Sequence, residues 1–418
     1  MNVSQFGEQL TEHSGILALM DDLGQAMAEP GGKCMLGGGN PAHIPELDAI
    51  YRRRMEEILR EEGTFERTIG NYDTPRGRWS FLESLAALFR ETYGWQIGPE
   101  NIAVTNGSQT SFFLLLNMLS GSFAGGRHGR VLFPLMPEYI GYANQAVHPD
   151  AFEARLPRIE QIDEHTHKYH VDLNGLELGP EVSAVCVSRP TNPTGNVLTD
   201  EEVHALDRAA RSNGVPLILD NAYGIPFPGM IFTEAEPIWN ENIVLAMSLS
   251  KIGLPSTRTG ILIANEELIN AGSSANAILS LANGSVGQAI MQPLIDNGEI
   301  LRLSREVVRP FYRDKAARAR GWIDEAFAAQ GVDYSVHLSE GALFLWVWFR
   351  SLRSSTSELY EKLKERGVIV VPGKYFSFGL PEAWDHADQC IRINYAMDDA
   401  EVKQGIEVIA EEAAKLQQ

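Results

Sequence analysis

A lysine placed just beyond a buried strand, among hydroxyls and close to an arginine, is equipped for carbonyl chemistry. Lys251 stands in such a stretch, Ser248-Leu249-Ser250-Lys251-Ile252-Gly253-Leu254-Pro255-Ser256-Thr257-Arg258-Thr259-Gly260, directly after the apolar run Ile243-Val244-Leu245-Ala246-Met247. The run reads as a strand bounded by turn signals, and the Gly and Pro that follow make the lysine-bearing segment a loop. Nearby cations and a dry pocket lower a lysine's pKa, and a neutral amine condenses with an aldehyde. The hydroxyls and Arg258 suit a phosphate dianion. The competing reading is one more solvated loop lysine, so other segments must decide.

Four of them fall at the carboxyl ends of expected strands. Thr105-Asn106-Gly107-Ser108-Gln109-Thr110 joins a strand to a helix, where exposed amides and the helix dipole attract phosphate. A plain N-cap by Asn106 or Ser108 would leave the same pattern. Tyr139, in Pro137-Glu138-Tyr139, can stack on an aromatic ring or simply pack half-buried. Asn192 is presented between two proline turns in Ser188-Arg189-Pro190-Thr191-Asn192-Pro193-Thr194-Gly195, its amide able to donate to a phenolate oxygen; an ordinary Asn-Pro turn is the alternative. Asp220 ends the run Pro216-Leu217-Ile218-Leu219-Asp220-Asn221-Ala222-Tyr223. A carboxylate there keeps a pyridine nitrogen protonated, and Tyr223 reaches the ring's other polar edge, unless Asp220 merely caps a helix. Five segments ordered around one ring-sized ligand point to pyridoxal phosphate, with Lys251 as its Schiff-base residue.

The elements that must position these groups are legible as periodicity. Residues 101–105, 130–134, 151–156, 184–188, 216–220, 242–247 and 260–264 read as strands, with helices over 108–119 and 200–213 among them. Near-continuous apolar strands alternating with helices specify a mainly parallel sheet covered on both faces, whose ligands lie beyond the carboxyl ends. Ahead of the sheet, 45–62 and 78–93 carry helical spacing and 14–20 starts a short helix. Met35-Leu36-Gly37-Gly38-Gly39-Asn40-Pro41 is a glycine-rich loop that lets backbone approach a ligand, or a flexible connector. Behind it, a charged amphipathic pattern over 297–327 makes one long helix, and strands at 342–348, 368–371 and 390–394 form a smaller α+β unit. The expected division is a large cofactor-binding domain over 48–300 and a small domain of 301–418 with the segment 1–47.

Composition bounds the partners. The 418 residues carry a net charge of -20, which repels nucleic acid and anionic membrane surfaces. Cys34, Cys186 and Cys390 are an odd count in no metal-type spacing, so neither a disulfide framework nor a metal site is expected, and a reducing compartment is. The first eight residues lack a basic region followed by an apolar core, and no apolar run approaches the ~18 residues of a membrane helix, so cytoplasm is expected. His165, His167 and His170 mimic ligand spacing but read as a solvated turn, and Phe344, Trp346, Trp348 and Phe349 as a buried strand.

With these motifs in this order, the chain resembles the fold-type I pyridoxal-phosphate aminotransferases over essentially its whole length. The resemblance implies an α/β transferase with a mainly parallel seven-stranded sheet in its large domain. It implies Lys251 as the aldimine lysine, Asp220 as partner of the pyridinium nitrogen, and Tyr223 and Asn192 as donors to the ring hydroxyl. Tyr139 becomes the stacking aromatic, and the Ser108 and Gln109 amides, Ser248 and Arg258 the phosphate cup, a role Ser250 can share. Tyr72 matches the tyrosine that reaches the phosphate of the neighbouring subunit, hence a homodimer. Arg392, in Ile391-Arg392-Ile393-Asn394, clamps the substrate carboxylate, with the Gly38 backbone beside it and Asn192 in support. Lys251 and Arg258 are seven apart where the family more often has eight, so a tighter turn is expected. The implied reaction exchanges an amino group between valine or alanine and a 2-oxo acid such as pyruvate or 2-oxoisovalerate, with Ile16, Leu17 and Leu36 as candidates for the apolar pocket. An aminotransferase of other specificity, or a carbon–sulfur β-lyase of the same fold, fits the same residues. A cofactor-binding regulator would need a DNA-binding extension or a basic patch, and neither is evident.

Overall fold

The computed structural model describes residues 4–11, 17, 20–22, 24 and 33–418. One sheet runs in the order Ile102–Thr105, Gly260–Ile263, Ile243–Ser248, Leu217–Asp220, Val182–Ser188, His128–Phe133, Gly121–Ser122, with Phe152–Ala154 also paired to His128–Phe133. All seven expected strands are in it; the eighth, two-residue strand is too short for periodicity to reveal. Its central strands are Ile-, Val- and Leu-rich and buried at every residue, as a sheet covered on both faces requires. The helix Ser108–Met118 packs on Gly260–Ile263, and Asp200–Ser212 packs on Val182–Ser188 and Leu217–Asp220. The latter helix starts in a capping box, Thr199 accepting from the Glu202 amide while the Glu202 carboxylate accepts from the Thr199 amide.

This topology gathers the chemistry. The strands ending at Ser188, Asp220 and Ser248 are parallel neighbours, so those residues share one edge. Gly260–Ile263 runs antiparallel, and its first residue lies opposite both Ser248 and Thr105. A Cβ on Gly260 would collide with Thr105 and the Gly107–Ser108 backbone, which explains the glycine.

A second sheet is ordered Val371–Pro372, Cys390–Asn394, Phe344–Phe349, Tyr334–His337, Thr166–His170, Arg158–Asp163. Its last two strands come from within residues 48–300, so this hairpin crosses the expected division of the chain. The solvated turn expected at residues 164–170 is corrected here: only its start is a turn. Thr166–His170 is a strand, and His167 is fully buried with Nδ1 against Ser335 Oγ at 2.9 Å. Lys168 is buried in an ion pair with Glu340, a partner 172 residues away that no local pattern discloses. Among the described residues no group of three or more His, Cys, Asp or Glu is placed to hold a metal ion.

The long helix expected over 297–327 forms as Glu299–Arg302, a π-helical turn Leu303–Val308, and Arg309–Gln330. Pro310 lacks an amide donor and crowds the preceding turn, so the ladder widens there. At the other end of the chain, Cys34–Met35 pairs in parallel with Val368–Ile369, and the Asn394 amide donates to Leu36 O at 2.7 Å. These contacts lay the glycine loop against the strand that carries Arg392. The short helix expected over 14–20 falls largely outside the described residues; Leu17 and Met20 are described and exposed.

Candidate active site

A cavity of about 510 Å³ opens at the carboxyl edge of the first sheet. Lys251, Asp220, Tyr223, Asn192, Tyr139, Ser108, Gln109, Ser248, Ser250, Arg258 and Arg392 all line it. Residues expected from six separated stretches therefore meet in one place.

Lys251 is held from both sides. Leu249 and Ile252 are buried completely, and Ile252 O accepts from Tyr51 OH at 2.6 Å, so the intervening lysine is directed into the cavity. Its Nζ donates to Gly39 O at 2.6 Å and lies 5.3 Å from the centre of the Tyr223 ring. Burial, then the charges of Arg392 and Arg258, push the lysine down from 10.5 to about 8, against the pull of Asp220. An appreciable fraction is thus a neutral amine near neutral pH.

Asp220 lies on the cavity floor. Its Oδ1 accepts from the Ala222 amide at 2.9 Å and its Oδ2 from Tyr142 OH. Burial pushes its carboxyl above the usual range, while the Tyr142 and Ala222 bonds and Lys251 pull it back. Tyr142 was not among the expected residues. It sits three after Tyr139 in a turn, and only its reach to Asp220 gives it meaning. Glu138, also fully buried, binds the Ser188 amide at 2.8 Å, and burial raises it to about 8.

The phosphate-type residues converge as well. Gly107 caps the helix Ser108–Met118 at φ 84° and no side chain caps it, so the N-cap alternative for Asn106 or Ser108 is not what forms. The helix start instead opens on the cavity. A Cβ on Gly107 would strike the Arg258 guanidinium, which shows how closely that arginine lies over the helix start. The seven-residue spacing is accommodated by a 3-10 turn, Pro255–Thr257, followed by Arg258 itself in the left-handed region at φ 48°.

Arg392 is 2% exposed. Its guanidinium lies 4.2 Å from the Phe344 ring centre and 5.1 Å from that of Phe376. Nη1 donates to Asn192 Oδ1 at 2.8 Å and Nη2 to Gly37 O at 2.5 Å, while Nε is buried without a partner. Burial pulls this arginine down to about 10, and no carboxylate of the described residues pairs with it. A buried cation with spare donors and no counter-ion is built to receive an anion.

Some expectations are placed elsewhere. Tyr72 is 84% exposed and outside the cavity. Gly38 does not line it either: its carbonyl accepts from Asn394 Nδ2 at 2.8 Å, and the flanking Gly37 and Gly39 carbonyls face Arg392 and Lys251. Leu36 is fully buried against the Gly405 region, neither it nor Leu17 lines the cavity, and Ile16 lies outside the described residues. Met20, Ile140, Pro190 and Pro255 line the cavity instead.

The sheet order, the lysine beyond its strand and the acid on the floor define a fold-type I α/β transferase. Residues 51–409 match the family model "Aminotransferase class I and II", and the chain belongs to that family. It is 48% identical over 416 residues to a valine–pyruvate aminotransferase of Escherichia coli, covering 99% of this chain and 98% of that one. The crystal structure of a valine–pyruvate aminotransferase from Salmonella typhimurium superposes with a TM-score of 0.87 at 46% identity, over 96% of this chain and 99% of the other. That of a putative amino-acid aminotransferase from Psychrobacter arcticum superposes at 0.96 and 40% identity, over 100% and 99%.

Proposed function

We propose that the protein is a pyridoxal-phosphate-dependent aminotransferase that exchanges the amino group between valine or alanine and a 2-oxo acid, pyruvate or 2-oxoisovalerate. The observation that carries this reading is one cavity holding both a buried lysine with a lowered pKa, Lys251, and a buried guanidinium without a counter-ion, Arg392. The donor set fits the cofactor: an uncapped helix start under Arg258 for its phosphate, and Asp220 on the floor for its ring nitrogen. When bound, pyridoxal phosphate supplies an aldehyde that takes up the amino group and a ring that draws electron density from the substrate carbon.

The chain's own residues do the rest. Lys251 would hold the cofactor and, with its amine free, would carry the proton to and from the substrate Cα. Asp220, steadied by Tyr142, would keep a proton on the ring nitrogen. Tyr223 and the NH2 of Asn192 would serve the ring hydroxyl, Tyr139 the ring itself, and the Ser108 and Gln109 amides, Ser248 and Arg258 would hold the phosphate. Arg392 binds the substrate carboxylate and so orients the Cα–H bond, with the Gly37–Gly39 backbone beside it.

Three cations line the cavity among the described residues: Lys251, Arg258 and Arg392. With one for the cofactor aldehyde, one for phosphate and one for the α-carboxylate, none is left for a second carboxylate. Met20, Ile140 and Pro190 favour an aliphatic side chain. The names of the relatives above support valine and pyruvate.

The same reading takes the chain as two units, 48–300 and 1–47 with 301–418, the hairpin at 158–170 lending its strands to the second. It takes the enzyme as a homodimer in which exposed Tyr72 serves the phosphate of the second copy, and as a cytoplasmic protein. Among the described residues no helix is long and apolar enough to cross a membrane. The test is to add single amino acids to the holoenzyme and follow the cofactor's visible absorbance. Valine and alanine discharge it, while aspartate and glutamate leave it unchanged; discharge by aspartate in preference to valine would overturn the substrate assignment.

A further inference from the structure

We propose that Asn394 is a positioning residue for this reaction, its amide holding the Gly38 carbonyl and so fixing the register in which the flanking Gly37 and Gly39 carbonyls meet Arg392 and Lys251. The proposal rests on the aminotransferase reading of those two residues. Arg392 Nη2 donates to Gly37 O at 2.5 Å, Asn394 Nδ2 to Gly38 O at 2.8 Å, and Lys251 Nζ to Gly39 O at 2.6 Å. The outer two donors work on substrate and cofactor, so their bonds to the loop change as the reaction proceeds. The middle one is constant.

Asn394 is suited to that duty. It is fully buried, two residues beyond Arg392 on the same strand, and so projects to the same face. It lies opposite Phe344, the ring against which Arg392 is stacked. Both ends of its amide are engaged: Oδ1 accepts from the Ala396 amide at 2.6 Å, and Nδ2 also reaches Asn40 O at 3.5 Å. Its backbone amide donates to Leu36 O at 2.7 Å, just ahead of the loop. The loop itself is three glycines, which supply no side-chain packing and lose more conformational freedom on ordering than any other residue. Without the Asn394 donor, the carbonyls facing Arg392 and Lys251 lose their common reference.

The experiment compares wild type, Asn394→Ala and Asn394→Asp. The aspartate keeps an oxygen for Ala396 but presents no amide donor to Gly38. Hydrogen exchange of the 36–42 segment is measured on the apoenzyme, and KM and kcat for valine and pyruvate on the holoenzyme. Both variants should speed exchange in 36–42 about tenfold and raise KM about three- to tenfold, by more than kcat falls. Wild-type KM in either variant, with or without faster exchange, would reduce the amide to a structural bond and overturn the proposal. Absence of amino transfer by the wild-type holoenzyme would instead remove the aminotransferase reading, and this proposal with it.

Discussion

Tyr142→Phe isolates one hydrogen bond under the reaction centre. The Tyr142 ring is packed at 4.6 Å from Phe112, 5.7 Å from Phe133 and 5.2 Å from Tyr139, so phenylalanine fills the same space. What is lost is the hydroxyl that donates to Asp220 Oδ2; the Ala222 amide still serves Oδ1. A hydrogen bond to a charged group is worth about 1.5–3 kcal/mol, and because this one favours the ionised carboxylate its loss pushes the Asp220 pKa further up. Asp220 would then be a weaker support for a protonated ring nitrogen in the proposed cofactor. If about 2 kcal/mol reaches the barrier, the single-turnover rate with valine falls roughly 30-fold. Infrared titration of the apoenzyme should show the Asp220 carboxyl protonating at higher pH than in wild type. A variant within twofold of the wild-type rate, with the same carboxyl titration, would refute the assignment of Tyr142 as support for Asp220.

Arg392→Lys removes the planar fork held between Phe344 and Phe376, and KM for valine and pyruvate should both rise roughly 100-fold in initial-rate assays; unchanged constants would separate Arg392 from carboxylate binding. Lys251 carries a lowered pKa of about 8 against 10.5, so the folded state disfavours its charged form. The apoenzyme of Lys251→Met should therefore melt above wild type below pH 8, and the gap should close as pH rises through 8 to 10.5; a constant gap in calorimetry would contradict the shift. His386, lowered to about 4 by burial, stays neutral in the folded state while the unfolded chain takes up its proton below 6.5. Stability is thus present above 6.5 and lost as pH falls towards 4, and His386→Gln, which can still meet Tyr169 OH, should flatten that loss by ~1.4 kcal/mol per pH unit in urea titrations.

Much of this site was readable because the lysine, the acid and the asparagine each sit at the end of an apolar strand, and parallel strands end together. What was not readable depends on register and on partners far along the chain. Lys168 and His167 look solvated until Glu340 and Ser335 are brought against them by a sheet that joins distant segments. Leu36 neighbours the glycine loop in sequence, yet it turns towards Gly405 of the last helix and away from the cavity. Gly38 is the middle of three glycines, and which carbonyl faces Arg392 or Lys251 is decided by a bond from Asn394, some 356 residues on. Tyr142 and Asn394 have no motif of their own: each is the residue that supports a more conspicuous neighbour.

Above all, it is the Lys251 amine that must carry the cofactor. Borohydride reduction of the holoenzyme, followed by digestion and mass spectrometry, tests this directly. The account predicts a single reduced cofactor adduct on the peptide that contains Lys251, absent from Lys251→Ala. An adduct on another lysine, or none at all from a fully loaded enzyme, would contradict it.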